Sequence, residues 1–335
     1  MELQKKAHNN SIDIFRYVAA LLIVAHHTDV LADIHPMLSY LVSQVLPRIG
    51  VPFFCAVAGY FYTSKLEAGK GGYWNYIKRL LKTYTLWSLI YVAVDIVGGN
   101  FHLGTAIANY LFFGSAYHFW FFPALILAVS IFTLMHWLGL HKLLVPLSLV
   151  LYLIGCFSHA YYKIGAEIPV LAALYQIDNW RWISHVFTLG FPCFILGYVL
   201  VLTRKHWESV RGSSVIAAVM LAVFLGEIFL LKILDWARTT TQSVGLYLFV
   251  YALLVCLFLH PMPMKTRAAR VCKVLANTAY YAHVLFIMLF NELNVVCFGG
   301  GLTYTAKFLF VFLLTLMLGT ILYRFNGKVA KALTA

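Results

Sequence analysis

Apolar residues follow one another along this chain for lengths that a soluble helix or strand does not need, and polar residues gather in short breaks between the runs. The runs fall at 14–31, 40–62, 80–97, 119–138, 143–160, 184–202, 214–234, 244–259, 274–296 and 306–323. A helix needs roughly 17–25 residues to cross a hydrocarbon core, so the pattern predicts about ten spans and no soluble domain of appreciable size. Barrel strands would show about ten residues of strict alternation; these runs are longer and apolar all round, which predicts an all-α polytopic transmembrane helix bundle. No internal repeat or low-complexity tract is visible. The first run follows Glu2, Lys5, Lys6 and Asp13, is itself interrupted by Arg16, His26 and His27, and lacks a small-residue cleavage site, so it reads as a retained helix rather than a signal peptide.

Composition agrees with the pattern: 62% of the 335 residues are hydrophobic and 11% are charged. A net charge of +13 would fit a nucleic-acid binder in a soluble protein, but here the basic residues fall mostly in alternate connections. With the N-terminus inside, the external side keeps only Arg48, Lys163, Arg181, Lys232, Arg238 and Lys307. That asymmetry predicts both termini in the cytoplasm, an even number of spans and no nucleic-acid partner; the lipid bilayer is the partner the composition demands. The six cysteines have no C-x-x-C pair and no metal-ligand spacing, which predicts neither a disulfide framework nor a metal site. Two external stretches stand out: the aromatic-rich 161–183, read as an interfacial belt, and 98–117, whose short apolar core predicts a re-entrant or interfacial half-helix.

Polar groups inside spans are costly and therefore candidates for function. The first span carries the densest set. Arg16 and His27 are eleven residues apart, close to three helical turns, so they share one face with His27 roughly 16 Å further along the axis. Arg16, near the inner boundary, is placed to meet an anionic ligand, and His27, in the outer half, to act as a general base. The structural alternative is equally open from spacing alone: Arg16 snorkels and pairs with Asp13, and His27 bonds a neighbouring helix. His26 points about 100° away and is better placed to meet Asp29 at i,i+3. His118 and His283 are further candidates for an outer cavity, each with an ordinary packing role as the alternative. Asp95, Glu227 and Glu292 sit at or inside span ends, and the pattern does not decide their roles.

Neither a Walker loop, a G-x-G-x-x-G, a zinc spacing nor a G-x-S-x-G elbow occurs. For a phosphorylated cytosolic ligand this leaves the inner cluster Lys78-Arg79-Leu80-Leu81-Lys82, in which Arg79 and Lys82 share a face; the alternative is charge that merely sets topology.

These residues resemble the acyltransferase-3 family of bacterial membrane proteins, whose first span carries an Arg, ten residues, then a His, as Arg16 and His27 do. Val51-Pro52-Phe53-Phe54 with Ala58-Gly59-Tyr60 is similar to the family's Pro-x-Phe-Phe and Ser-Gly-Phe/Tyr element, and Arg79 with Lys82 to its Arg-x-x-Arg. His118-Phe119-Trp120 looks like its His-Leu-Trp, and Tyr281-Ala282-His283 like its late Tyr-Leu-x-His. Two positions depart from the pattern: Ala58 replaces a Ser, and Lys82 replaces an Arg, keeping the charge but losing the bidentate fork.

The resemblance implies a single acyltransferase domain over 1–335 that moves an acyl group, most often acetyl, from cytosolic acyl-CoA to a hydroxyl of an extracytoplasmic glycan, in the bacterial cytoplasmic membrane. It implies that Arg79 and Lys82, with Arg16, hold the phosphates of acetyl-CoA or another acyl-CoA. His27 is then the base or a transient acyl carrier, and Asp13, Gly59, Tyr60, His118, Trp120 and His283 are substrate-binding or supporting residues. The chain ends soon after its last run, so neither an esterase-like nor a racemase domain is expected, and acceptor choice falls to the outer loops or a separate envelope partner protein. Arg48-Ile49-Gly50-Val51-Pro52 is also similar to the membrane half of the serine-racemase proteins of vancomycin resistance, which keeps transport of a small polar solute such as serine as the alternative.

Overall fold

With no water to satisfy peptide groups in a bilayer core, an apolar run must close its own hydrogen bonds, and each of the predicted runs coincides with a helix. The computed structural model describes residues 9–325 and 327–334, and no strand occurs among them. Glu2, Lys5 and Lys6, which precede the first run, lie outside the described residues. In chain order the main helices are α1 (Asn10–Thr28), α2 (Pro36–Glu67), α3 (Tyr73–Val97), α4 (Leu103–Phe113), α5 (Phe121–Trp137), α6 (His141–Ser158), α7 (His185–Leu202), α8 (Ser213–Ile233), α9 (Val244–Leu259), α10 (Thr266–Phe298) and α11 (Tyr304–Phe325). Seven of these, α2, α3, α6, α7, α8, α10 and α11, are long and apolar enough to cross a membrane. The chain is thus an all-helical, multi-pass membrane protein. Helices α5 and α9 are apolar but shorter, and α1 has its apolar content diluted by Asp13, Arg16, His26 and His27.

The chain divides into two compact units, Met1–Gly50 with Leu253–Ala335, and Val51–Ala252. In the first, α1 packs along α10 and α10 along α11. Asn9 caps α1 by accepting from the N–H groups of Ser11 and Ile12 at 3.1 and 3.3 Å. The Ser11 hydroxyl donates to His260 O and accepts from Met262 N, each at 2.7 Å, tying the start of α1 to the chain after α9. At the other end Asp29 turns left-handed (φ 49°) and stops the helix. After a first α-helical turn, α2 runs through a π-helical stretch, Tyr40–Val45, which packs against α1.

In the second unit, Tyr62, Leu125, Phe132, Phe191, Phe194 and Tyr198 form the heart of an aromatic core shared by α2, α5 and α7. Helix α7 begins π-helical, over His185–Gly190. There the fully buried Gln242 donates to Thr188 O at 2.6 Å and accepts from the Thr188 hydroxyl at 3.1 Å, filling the hydrogen bonding that the wider turn loosens. Glu227 accepts from Val244 N and Gly245 N at 3.0 and 2.8 Å and from the Tyr161 hydroxyl, so its carboxylate caps the N-terminus of α9. The stretch expected to hold a half-helix does hold one, α4. It is fixed by a Tyr84–Tyr110 stack at 4.7 Å and a Ser88–Ser115 hydroxyl pair at 2.7 Å.

Candidate functional site

In the first unit the stripe of polar groups along α1 is built as the helical period dictates. Near its start, Arg16 Nη1 donates to Asp13 Oδ1 at 2.6 Å, with the Asp13 side chain 3% and the Arg16 side chain 19% exposed. The pairing anticipated as the structural alternative for Arg16 is therefore formed, and the guanidinium keeps an edge toward solvent. Almost three turns on, the His27 ring lies between two others: 4.8 Å from His26 and, stacked within 22°, 5.2 Å from His283 of α10.

The flanking imidazoles are held by backbone. His26 Nδ1 lies 2.6 Å from Ser43 O, and His283 Nδ1 lies 3.0 and 2.8 Å from Ala279 O and Tyr280 O. Carbonyls only accept, so Nδ1 carries the proton in both rings and a neutral ring has its lone pair on Nε2. The expected His26–Asp29 contact is replaced. Asp29 leaves the helical face because it adopts the left-handed conformation that ends α1, and it accepts from Gln44 Nε2 at 3.1 Å while His26 turns to Ser43. Arg48, whose guanidinium donates to Gln44 O at 3.1 Å and Gln44 Oε1 at 3.3 Å, adds a positive charge that acts on both His26 and His27.

The other predicted residues belong to the second unit. Gly59 meets backbone: a Cβ there would lie 2.0 Å from Phe194 O, and a Cβ on Gly197 would lie 2.1 Å from Ala56 O, so the two glycines let α2 and α7 cross in contact. Tyr60 is buried, with its hydroxyl accepting from Arg204 Nη2 at 3.0 Å and its ring 5.3 Å below the Arg204 guanidinium. Arg79 lies over the Tyr76 ring at 5.2 Å, and both Arg79 and Lys82 are exposed. His118 is buried edge-on to Tyr91 at 5.5 Å and beside Phe119 at 4.1 Å. Trp120 meets His185 at 5.1 Å, and His185 meets His159 at 5.2 Å.

Sequence reasoning passed over Ser43, Gln44, Arg48, His159, His185 and Arg204. The two histidines and Arg48, polar residues in or beside apolar runs, carried a visible signal. Among the described residues no group of three or more His, Cys, Asp or Glu is placed to hold a metal ion.

A helical membrane bundle with an Arg and a His three turns apart on its first helix defines a narrow class, and comparison with known proteins agrees. Residues 9–324 match the acyltransferase-domain family model of acyltransferase-3, and the chain belongs to that family, one of membrane acyltransferases. It is 26% identical over 301 residues to an amino-acid racemase of Enterococcus faecalis, an alignment covering 86% of this chain and 42% of that protein. It is 28% identical over 290 residues to a serine/alanine racemase of Enterococcus gallinarum, covering 83% and 40%. The chain thus spans about two fifths of the length of these curated relatives. No solved structure matches it.

Proposed function

We propose that this protein is a membrane-bound O-acyltransferase of the bacterial cytoplasmic membrane, crossing it ten times with both termini inside. Its donor is acetyl-CoA or another acyl-CoA on the cytosolic side, and its acceptor is a hydroxyl of an extracytoplasmic glycan or envelope polymer, delivered with or without a separate partner protein. The observation that carries the reading is the His27 imidazole, set among membrane helices between two rings whose Nδ1 protons are committed to backbone.

In this reading a ring nitrogen of His27 takes the acceptor's hydroxyl proton as the oxygen attacks the thioester carbonyl. The carbon–sulfur bond then breaks, and CoA leaves as a thiolate that recovers a proton. The rival route, in which His27 first carries the acyl group, uses the same ring. His283 holds His27 in place, Arg79 and Lys82 bind the donor's phosphates with Arg16, and Tyr60, His118 and Trp120 shape the binding surfaces. The test is transfer of label from acetyl-CoA to polymer or lipid-linked sugar in membranes. His27→Ala is expected to abolish it at unchanged protein level, and retained transfer would overturn the assignment.

A second reading is favoured by the relatives, which are named as amino-acid and serine/alanine racemases. Here the same polar groups line a path for a small polar solute such as serine. Serine uptake by proteoliposomes without acyl-CoA, lost in His27→Ala, is the result that would replace the first reading with this one.

A further inference from the structure

Arg204, between α7 and α8, is built into the second unit differently from the other basic residues near it. Lys205 and His206 are exposed, whereas the Arg204 side chain is half-buried with its guanidinium over the Tyr60 ring. Its Nη2 donates to the Tyr60 hydroxyl and to Ser64 Oγ, both at 3.0 Å. Its Nε is buried and has no hydrogen-bond partner among the described residues. The groups that orient this cation are thus neutral hydroxyls, and Glu208, four residues on, is exposed.

A guanidinium can only donate, so both hydroxyls must accept from it and turn their own hydrogens elsewhere. The cluster therefore holds a guanidinium whose hydrogen-bonded partners are neutral, a charge that an anion with several acceptor oxygens satisfies.

We propose that Arg204, aimed by Tyr60 and Ser64, is a phosphate-binding residue for the donor. This rests on the acyl-CoA reading and adds to Arg79 and Lys82 a cation whose direction is fixed by the fold. The shared chemistry is a phosphate ester, which a lipid headgroup also offers; burial of Nε and anchoring on Tyr60 and Ser64 favour a soluble ligand that reaches in, because a headgroup would meet Lys205 and His206 first.

The test is binding of CoA and of pantetheine, which lacks the phosphates, to purified protein in nanodiscs made with phosphatidylcholine or with added phosphatidylglycerol. Arg204→Gln is expected to weaken CoA about tenfold or more in both lipids and to leave pantetheine unchanged, since a hydrogen-bonded charge contributes about 1.5–3 kcal/mol. Arg204→Lys, which keeps charge and stem but not the fork, should fall between wild type and Arg204→Gln, and Ser64→Ala should weaken CoA several-fold by loosening the aim. Equal losses for CoA and pantetheine would overturn the proposal, as would unchanged CoA binding together with lost phosphatidylglycerol binding, which would assign the site to a headgroup. If wild type bound no CoA, the acyl-CoA reading itself would fall; if Arg79→Gln lost CoA and Arg204→Gln did not, only the role of Arg204 would.

Discussion

Replacing Gly59 by Ala separates packing from ligand contact at a position where the family resemblance points to substrate. The added methyl would sit 2.0 Å from Phe194 O and 3.0 Å from Phe194 C, and real Cβ contacts essentially never fall below 3.0 Å. The obstacle is backbone of α7, so no side-chain rotation relieves it, and the two helices must part by at least about 1 Å. That gap opens into the core built on Tyr62, Phe132, Phe194 and Tyr198, where a separation of roughly 0.5–1 Å already forfeits a quarter to a half of each contact's attraction.

Overpacking of this kind costs about 1–3 kcal/mol, which corresponds to a fall in melting temperature of roughly 2–10 °C for detergent-solubilised protein. Gly197→Ala presses the same crossing from the other helix and should cost a similar amount, and the double variant should cost less than the sum because the first methyl has already parted the helices. Gly226→Ala on α8 is the control: nothing lies within 4 Å of its added Cβ, so stability should hold or rise. The measurement is thermal unfolding by tryptophan fluorescence alongside acyl transfer. Gly59→Ala with an unchanged melting temperature and lost transfer would refute the reasoning and return Gly59 to ligand approach.

Two further outcomes follow from the first unit. Arg16→Ala removes the cation paired with the nearly buried Asp13 carboxylate and should lower stability more than Asp13→Ala, which leaves an arginine able to reach solvent; Asp13→Asn with Arg16→Gln removes both charges and should unfold near the wild-type temperature, so transfer lost in that double variant reports the ligand role of Arg16 rather than stability. Cys297, exposed near the end of α10, should react with a membrane-impermeant maleimide added to intact cells, and labelling only after permeabilisation would reverse the proposed orientation.

What the sequence disclosed and what it hid divide along one physical line. Run length carries the helices because the bilayer imposes it locally on each segment, and charge asymmetry is the ground for the proposed sidedness. The face shared by Arg16 and His27 was legible for the same reason, since it needs only the period of one helix. Every feature that was missed is a meeting with backbone or with a distant segment. His26 rests on Ser43 O, Asn9 and Ser11 hold α1 to the last turn of α9 and the chain just after it, and Gly59 touches Phe194 O. None of these partners leaves a mark in its own side-chain pattern, because a carbonyl is the same in every residue.

His283 shows the limit from the other side: a late Tyr-x-His was visible, but its stacking on His27, across more than 250 positions, depends on α10 packing along α1. The π-helical stretches of α2 and α7 compound the effect, since an extra residue per turn shifts which side chains share a face. The short motifs therefore located the residues proposed to bear chemistry, while the residues that hold the polar groups around them, Ser43, Gln44 and Ser64 with the backbone of α10, needed the fold. A substitution at an aiming position should accordingly lower transfer while leaving the chemistry-bearing side chain intact, and that difference separates a positioned imidazole or guanidinium from one that is merely present.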